Sequence, residues 1–474
     1  MFNSIQKLVH TAWLKSNTTQ RNHRRNHFRA AANLDFSVLE SRLNFAGLGG
    51  GTVEGTFDLN QFEDNLQSYF NDNSVGFGYA INQNGVLVRD GGDGLARTQA
   101  DGGNIFFDGD TGMTIASVSK QITATAIMQL LQNQGQSVDE TIYQYLPQAW
   151  RDGLDAPDKV AAKASIATIT FRELLTHRSG IRRIDFDNDG TASLGEQTSF
   201  SGLAQLINTG IDLDNKPIYE YENANFALMR VMLPYLWEAV DNEVLDNADD
   251  PAGFTAAVYV LYVSEQVLDP MGIDNADTKP KLTDATFQYK NPDLGAAGFA
   301  YGDRTLLAGG EGWFLTPKEL ATFLANVRYN DDILSAETRN QMRDGFLGWN
   351  NPADKNYSQW SEGMFGTYYN HGGDLTDLHT GIMDFPNGVQ VSIMVNSDID
   401  KSGLPHQLAY DENSPYQLEM ISRAFENAWP EIVIPGRPAT TCWKSVATRE
   451  ISAQSTFFSM VNLWVPDGKN HLTS

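Results

Sequence analysis

The chain has 474 residues, of which 41% are hydrophobic and 20% charged, a composition typical of a globular protein with one large domain or two smaller ones. A formal net charge of -25 disfavours binding to nucleic acid phosphates. The single cysteine, Cys442, excludes an intrachain disulfide and a Cys-rich metal site. The densest apolar stretch, residues 256–263, is far too short to span a membrane.

Residues 1–51 are rich in basic side chains and end in the glycine-rich run 47–51. This composition predicts a leader or a flexible tether. The run Val38-Leu39-Glu40-Ser41-Arg42 resembles the Leu-Glu-x-Arg signature that closes basic leaders on some exported proteins. We therefore expect export to the periplasm or the extracellular medium, and the alternative is a disordered arm on a cytoplasmic protein.

The globular pattern begins with a helix and a hairpin. Apolar residues recur at helical spacing from Leu59 to Phe70. Two β-rich runs, 75–82 and 86–90, flank an Asn-Gly pair, which is a strong hairpin signal. A long helix is predicted after Ser117, with a glycine just beyond its end.

The second half of the globular pattern follows a mainly helical region at roughly 140–300. A capping box at Thr316 predicts a helix through Val327. Alternating runs at 380–384 and 389–395 predict a second hairpin, and a last helix is expected between Ser414 and Trp429. The predicted fold is therefore α+β, an antiparallel β-sheet flanked by helices with an inserted mainly helical region.

A Ser-x-x-Lys pattern supplies the first candidate catalytic residues. Acyl transfer without a histidine base needs a hydroxyl nucleophile and an amine that takes its proton. Ser117 and Lys120 would lie on one face at a helix start, where the helix N-terminus favours developing negative charge. Ser4 and Lys7 repeat the spacing in the leader, without a predicted fold around them. The alternative interpretation of Ser117 is a helix cap beside a solvated lysine.

The passage from Met113 to Gln121 resembles the nucleophile motif of the serine β-lactamases and penicillin-recognising enzymes, in particular the class C-like branch with its family VIII esterases. The resemblance implies a β-lactamase/transpeptidase-like fold and an acyl-enzyme on Ser117, with no cofactor for catalysis. Residues 169–180 and 309–313 are also similar to family segments, which extends the resemblance from about 58 to 430. We therefore predict a hydrolase domain at 52–430 and a C-terminal tail at 431–474.

The family's second motif, Tyr-x-Asn, occurs four times in this sequence. The copies begin at Tyr69, Tyr221, Tyr289 and Tyr368. The copy at Tyr221 leads straight into a predicted helix, as in the family, so the resemblance assigns Tyr221 to proton transfer and Asn223 to the substrate amide. Tyr289 is the second choice, and the resemblance leaves Lys120 and Tyr221 as alternative general bases.

The third motif should place a polar residue and a glycine on the strand beside the site. His371-Gly372-Gly373-Asp374 fits this pattern. By resemblance, His371 and Gly373 contact substrate, and the backbone N–H of Asp374 completes an oxyanion hole with that of Ser117. His379-Thr380-Gly381 is a rival to which a structural role is assigned. His177, within the segment 169–180, is expected to be a structural residue at a helix end.

These motifs predict a serine hydrolase that acts on a small-molecule ester or amide. Histidine replaces the lysine that β-lactamases typically carry in the third motif, and near neutral pH it is a poorer partner for a β-lactam carboxylate. An esterase or a D-amino-acid peptidase is therefore favoured over a β-lactamase. A catalytically silent binding or scaffold protein of the same fold is the alternative from another class, and the oligomeric state is left open.

A separate pattern predicts a structural calcium site. Residues 185–196 match the twelve-residue Ca²⁺ loop, with glycine at its sixth position and glutamate at its twelfth. The expected ligands are Asp185, Asp187, Asp189, Thr191, Ser193 and Glu196. The loop lacks room for an entering helix, so we expect a lone structural loop. The alternative is an acidic surface turn.

Overall fold

The computed structural model describes residues 56–183, 197–216, 218–280, 286–290, 292–352, 361–400 and 416–429. Most of them, from Leu59 to Ala428, form one compact unit. Residues 56–58 and Trp429 belong to a second unit, in which the Phe57 and Trp429 rings lie 5.4 Å apart. No helix of these described ranges is long and apolar enough to cross a membrane.

A six-stranded antiparallel sheet is the centre of the large unit, with the order β3-β2-β1-β10-β9-β8. Its strands are β1 (Gly76–Gln83), β2 (Val86–Arg97), β3 (Ile105–Phe106), β8 (Tyr369–Leu375), β9 (Leu378–Asp384) and β10 (Val389–Val395). Two short pairs, β4 (Met113–Thr114) with β5 (Phe314–Leu315) and β6 (Glu362–Gly363) with β7 (Gly366–Thr367), lie outside it. Both predicted hairpins are therefore part of one sheet.

The helices surround this sheet and fill the region between β4 and β5. They are α1 (Leu59–Phe70), α2 (Ser119–Gln134), α3 (Gln148–Gly153), α4 (Val160–Ile166), α5 (Phe171–Leu175), α6 (Phe200–Thr209), α7 (Asn223–Trp237), α8 (Asn242–Asp246), α9 (Pro251–Tyr262), α10 (Pro317–Tyr329), α11 (Ala336–Asp344) and α12 (Tyr416–Glu426). A π-helical turn, Val263–Leu268, extends α9. The predicted α+β fold with a helical insertion is confirmed.

Local signals explain most of these boundaries. Asn84 and Gly85 both have positive φ, as the hairpin turn between β1 and β2 requires. Gly135 ends α2 in the left-handed conformation. At the start of α10 the Thr316 side chain accepts from the Glu319 N–H, and Glu319 returns a bond to the Thr316 N–H. These three short-range predictions are confirmed.

The end of β2 differs from the prediction. The sequence predicts a β-rich run over 86–90, but β2 continues to Arg97 and pairs with both β1 and β3. A Cβ at Gly92 would lie 2.3 Å from the Phe77 carbonyl oxygen. Here glycine permits close packing of the strand and does not form a turn.

The fold brings three distant segments together. Residues 116–118 form a short 3₁₀ turn between β4 and α2, and β8 packs against this turn from the edge of the sheet. Helix α7 packs against α2 and begins at Asn223. The Ser-x-x-Lys, Tyr-x-Asn and His-Gly-Gly segments therefore meet at the junction of the sheet and the helical region.

Candidate active site

Ser117 and Lys120 form a close polar pair. Ser117 lies in the 3₁₀ turn, half-buried, and Lys120 lies in the first turn of α2. The Lys120 ammonium Nζ is 2.9 Å from Ser117 Oγ and donates to the Gly310 carbonyl oxygen at 2.8 Å. Ala116, just before Ser117, has φ +46, a strained conformation for a residue with a side chain. The turn therefore presents the Ser117 hydroxyl to the amine.

Burial makes Lys120 a suitable proton acceptor. The side chain is completely buried. Desolvation lowers the pKa of its ammonium from the usual 10.5 to about 7, although the negative charge of Glu311 opposes that change. Glu311 is itself paired with Arg304. A substantial fraction of Lys120 is therefore neutral at pH 7.

Tyr221 and Asn223 lie at the start of α7, opposite this pair. The Lys120 Nζ is 5.0 Å from the centre of the Tyr221 ring, and the rings of Tyr221 and His371 are 6.4 Å apart. The Asn223 Oδ1 is buried without a hydrogen-bond partner in the described part of the chain. An unpaired buried amide oxygen costs stability. Such a cost is expected at a binding site, where a substrate N–H can supply the missing hydrogen bond.

The strand β8 carries the third set of predicted residues. His371 is buried, and its Nδ1 lies 2.6 Å from the Gly372 carbonyl oxygen. Desolvation and the nearby Lys120 charge lower the pKa of His371 to about 3, so the imidazole is neutral at physiological pH. Asp374 is exposed and lies at the end of β8 towards the turn.

Gly373 has a role that its sequence motif did not indicate. The motif suggested that this glycine makes room for substrate. A Cβ built on it would lie 2.2 Å from Thr380 Oγ1 and 2.5 Å from the Ile115 carbonyl oxygen. The missing side chain therefore faces the turn 116–118, called the nucleophile turn below because it carries the candidate nucleophile Ser117. Glycine allows β8 to approach Ile115 and Ala116 closely.

The other Tyr-x-Asn copies that precede or follow Tyr221 have different surroundings. The Tyr289 hydroxyl donates to Asp101 Oδ2 at 2.7 Å and accepts from the Thr98 N–H at 3.0 Å. Tyr69 lies in α1, and the Tyr368 hydroxyl lies 3.4 Å from Glu426. Of the four tyrosines, Tyr221 is the one with a ring contact to Lys120 among the described residues.

His177 supports the Tyr221 segment. It follows α5 with φ +54, and its Nδ1 accepts from the Glu222 N–H at 3.2 Å and lies 3.1 Å from Asn225 Nδ2. Its ring centre is 4.4 Å from that of Tyr221. Burial and the Lys120 charge lower the pKa of His177 well below its usual value, so it is a neutral acceptor. The sequence motif did not show these contacts.

The proposed calcium loop, 185–196, lies outside the described residues. Within the ranges that the structure describes, no group of three or more His, Cys, Asp or Glu side chains could hold a metal ion. The leader 1–51 and the tail 431–474 also lie outside them.

Comparisons with known proteins concern the fold of the domain that carries this site. Residues 60–234 match the family model described as Beta-lactamase. A D-amino acid amidase from Ochrobactrum anthropi SV3 is 16% identical, with a TM-score of 0.53 over 77% of this chain and 98% of that chain. A Beta-lactamase/D-alanine carboxypeptidase from Yersinia pestis is 13% identical, with a TM-score of 0.50 over 78% and 96%.

A third structure, the octameric penicillin-binding protein homologue from Pyrococcus abyssi, is 17% identical, with a TM-score of 0.50 over 77% of this chain and 75% of that chain. No curated protein matches the sequence. The fold is thus that of the β-lactamases and transpeptidases. The match to the Beta-lactamase family model covers 60–234, and the solved structures named above share the fold of the whole compact unit.

Proposed function

We propose that this protein hydrolyses an ester or amide through an acyl-enzyme on Ser117. The observation that supports this most directly is the 2.9 Å contact between Ser117 Oγ and the amine of a wholly buried Lys120. An amine with a pKa of about 7 can take the hydroxyl proton at neutral pH.

The proposed reaction has two steps. As Ser117 Oγ attacks the carbonyl carbon, its proton passes to Lys120, directly or by way of Tyr221. The backbone N–H groups of Ser117 and Asp374 stabilise the oxyanion. The leaving alcohol or amine departs with that proton and leaves an acyl ester on Ser117. A water molecule then attacks the ester and loses a proton to the same base, which passes that proton to Ser117 Oγ as the acid is released.

The neutral state of His371 favours ester over β-lactam substrates. With a pKa near 3, this residue offers no positive charge to a β-lactam carboxylate at physiological pH. We therefore propose a carboxylesterase or a D-amino-acid peptidase-like enzyme of the class C-like branch. The D-amino acid amidase and the D-alanine carboxypeptidase named above share the fold, so amide cleavage stays in the proposal beside ester cleavage.

Turnover measurements test this proposal. Wild-type protein should hydrolyse p-nitrophenyl acetate and butyrate readily and nitrocefin slowly. Ser117→Ala should reduce ester turnover by about 10⁴-fold or more, whereas the control Ser4→Ala, which removes the other Ser-x-x-Lys serine, should have no effect. Ester turnover that survives in Ser117→Ala would exclude this nucleophile. Nitrocefin turnover at the ester rate would exclude the preference for esters.

We also propose a structural Ca²⁺ ion in the loop 185–196, supported by its sequence pattern alone. A bound ion stabilises the folded state by mass action. The melting temperature should fall in EDTA and recover with Ca²⁺ but not with equal Mg²⁺. An unchanged melting curve in EDTA would exclude the ion. The same EDTA response in Asp185→Ala/Glu196→Gln protein would exclude this loop as its site.

The basic leader supports a further proposal, that the protein is exported. The Leu-Glu-x-Arg run ends at Arg42. Expression of the full chain should place it outside the cytoplasm, and Glu40→Ala/Arg42→Ala should reduce that fraction. Equal cytoplasmic retention of both proteins would contradict export.

A further inference from the structure

A charged pair links the two strands that border the site. His379 on β9 lies directly opposite Asp374 on β8 in the strand register. The His379 Nδ1–H donates to Asp374 Oδ1 at 2.6 Å. Gln417 of α12 donates to the same oxygen at 3.1 Å and to the Thr380 carbonyl oxygen at 2.9 Å. Two donors from two elements therefore hold one oxygen of the Asp374 carboxylate.

The same hairpin also contacts the nucleophile turn. Thr380, next to His379, donates from Oγ1 to the Ile115 carbonyl oxygen at 2.8 Å. Gly373, next to Asp374, packs closely against Ile115 and Ala116. Contacts that fix Asp374 relative to Thr380 therefore fix the Asp374 N–H relative to Ser117.

We infer that His379 is a positioning residue for the oxyanion hole, because its imidazolium holds the Asp374 side chain and thereby aims the Asp374 backbone N–H at the substrate carbonyl oxygen. The inference rests on the proposed function, since it concerns the same site. His379 itself contacts neither Ser117 nor Lys120 among the described residues, so its effect passes through Asp374.

The charges around His379 keep it protonated. Asp374 of β8 faces its Nδ1, and Asp398, which follows β10, lies 3.8 Å from its Nε2. Asp377 in the β8–β9 turn interacts electrostatically with His379 and with Lys290, and α12 contributes the neutral Gln417. Burial opposes the charge on His379, but the two carboxylates outweigh it and raise its pKa to about 9.

A pH profile distinguishes positioning from a merely structural contact. In wild-type protein the kcat for p-nitrophenyl acetate, corrected for uncatalysed hydrolysis, should rise through pH 7 and fall above about pH 9. His379→Asn should lower kcat by about 10- to 100-fold, with little change in KM, and remove the fall above pH 9. Asp398→Asn should retain the activity near pH 7 but move the alkaline fall to lower pH.

The outcomes separate the inference from the function on which it rests. If wild-type protein lacks Ser117-dependent turnover, the proposed function fails. If wild-type protein shows that turnover, but His379→Asn has the same kcat and the same decrease of kcat above pH 9, only the inference fails. If circular dichroism shows that His379→Asn does not fold, the folded Asp398→Asn protein decides. A decrease of kcat at the same alkaline pH as in wild type would overturn the inference, and a decrease at lower pH would support it.

Discussion

In two regions around the site, the pKa values of buried basic side chains shift in opposite directions. In the interior, Lys120 and His371 lie close together, and no carboxylate of the described residues forms a hydrogen bond or ion pair with either side chain. Their pKa values are lowered to about 7 and about 3. At the outer edge of the β8–β9 hairpin, His379 is flanked by Asp374 and Asp398, and its pKa is raised to about 9. Burial lowers the pKa of a base unless a carboxylate in contact outweighs the loss of water.

The difference suits the two regions to different tasks. Near pH 7 the interior groups are wholly or partly neutral, which is the condition for accepting a proton from Ser117. The edge carries a fixed ion pair whose geometry does not change in that range. Changes in the interior should therefore affect chemistry most, and changes at the edge should affect alignment and stability.

The largest effect is expected from Lys120→Met, which removes the proposed proton acceptor at nearly constant volume. The kcat should fall by about 10³-fold or more. Stability at pH 6 should nevertheless rise by on the order of 1–4 kcal/mol, because the variant no longer buries an ammonium that has no carboxylate partner among the described residues. Ester turnover and urea unfolding measure the two changes.

The control for that variant is Lys163→Met, since Lys163 is a half-exposed residue of α4. Lys163→Met should change neither kcat nor the free energy of unfolding by much. A Lys120→Met protein that keeps its turnover, or one that is less stable than wild type at pH 6, would contradict the account of the interior.

An intermediate effect is expected from Gly373→Ala at the boundary of the two regions. The new Cβ would meet Thr380 Oγ1 and the Ile115 carbonyl oxygen, so β8 must move away from the nucleophile turn. We expect kcat to fall by about 100-fold and stability by about 1–3 kcal/mol. Gly302→Ala is the matched control, because its Cβ would meet nothing within 4 Å. Equal activity of the two variants would show that no close approach is required.

The smallest effect is a difference in stability that depends on pH. The folded pKa of His379, about 9, lies above its unfolded value of 6.5. Its ion pair therefore stabilises the fold fully below pH 6.5, and this contribution is lost as pH rises through 9. His379→Asn should reduce the free energy of unfolding by about 1–3 kcal/mol at pH 6 and by much less at pH 10.

His371→Asn should show the opposite trend at lower pH. Because the folded pKa of His371, about 3, lies below 6.5, wild type loses stability as pH falls from 6.5 towards 3, and the variant should not share that loss. If urea unfolding of His379→Asn and His371→Asn depended on pH in the same way, the opposite pKa shifts of the edge and the interior would be contradicted.

Short-range sequence signals predicted much of this molecule. The Asn84-Gly85 turn and the Thr316 capping box act within a few residues, so their outcome did not depend on the rest of the chain. The bond from Lys120 to the Gly310 carbonyl oxygen, the packing of Gly373 on Ile115, and the approach of Asp398 to His379 join distant segments. Such contacts depend on the tertiary fold, and residue type alone does not specify them.

Intact-mass measurement after reaction with a fluorophosphonate tests the central claim most directly. Wild-type and Ser4→Ala proteins should each gain one adduct, located on Ser117 by peptide mapping, and should react faster at pH 8 than at pH 6 because Lys120 is then more fully neutral. Ser117→Ala should gain none. Absence of an adduct in wild type with both reagents, the fluorophosphonate and a penicillin, would contradict the account and favour a catalytically silent binding protein of this fold.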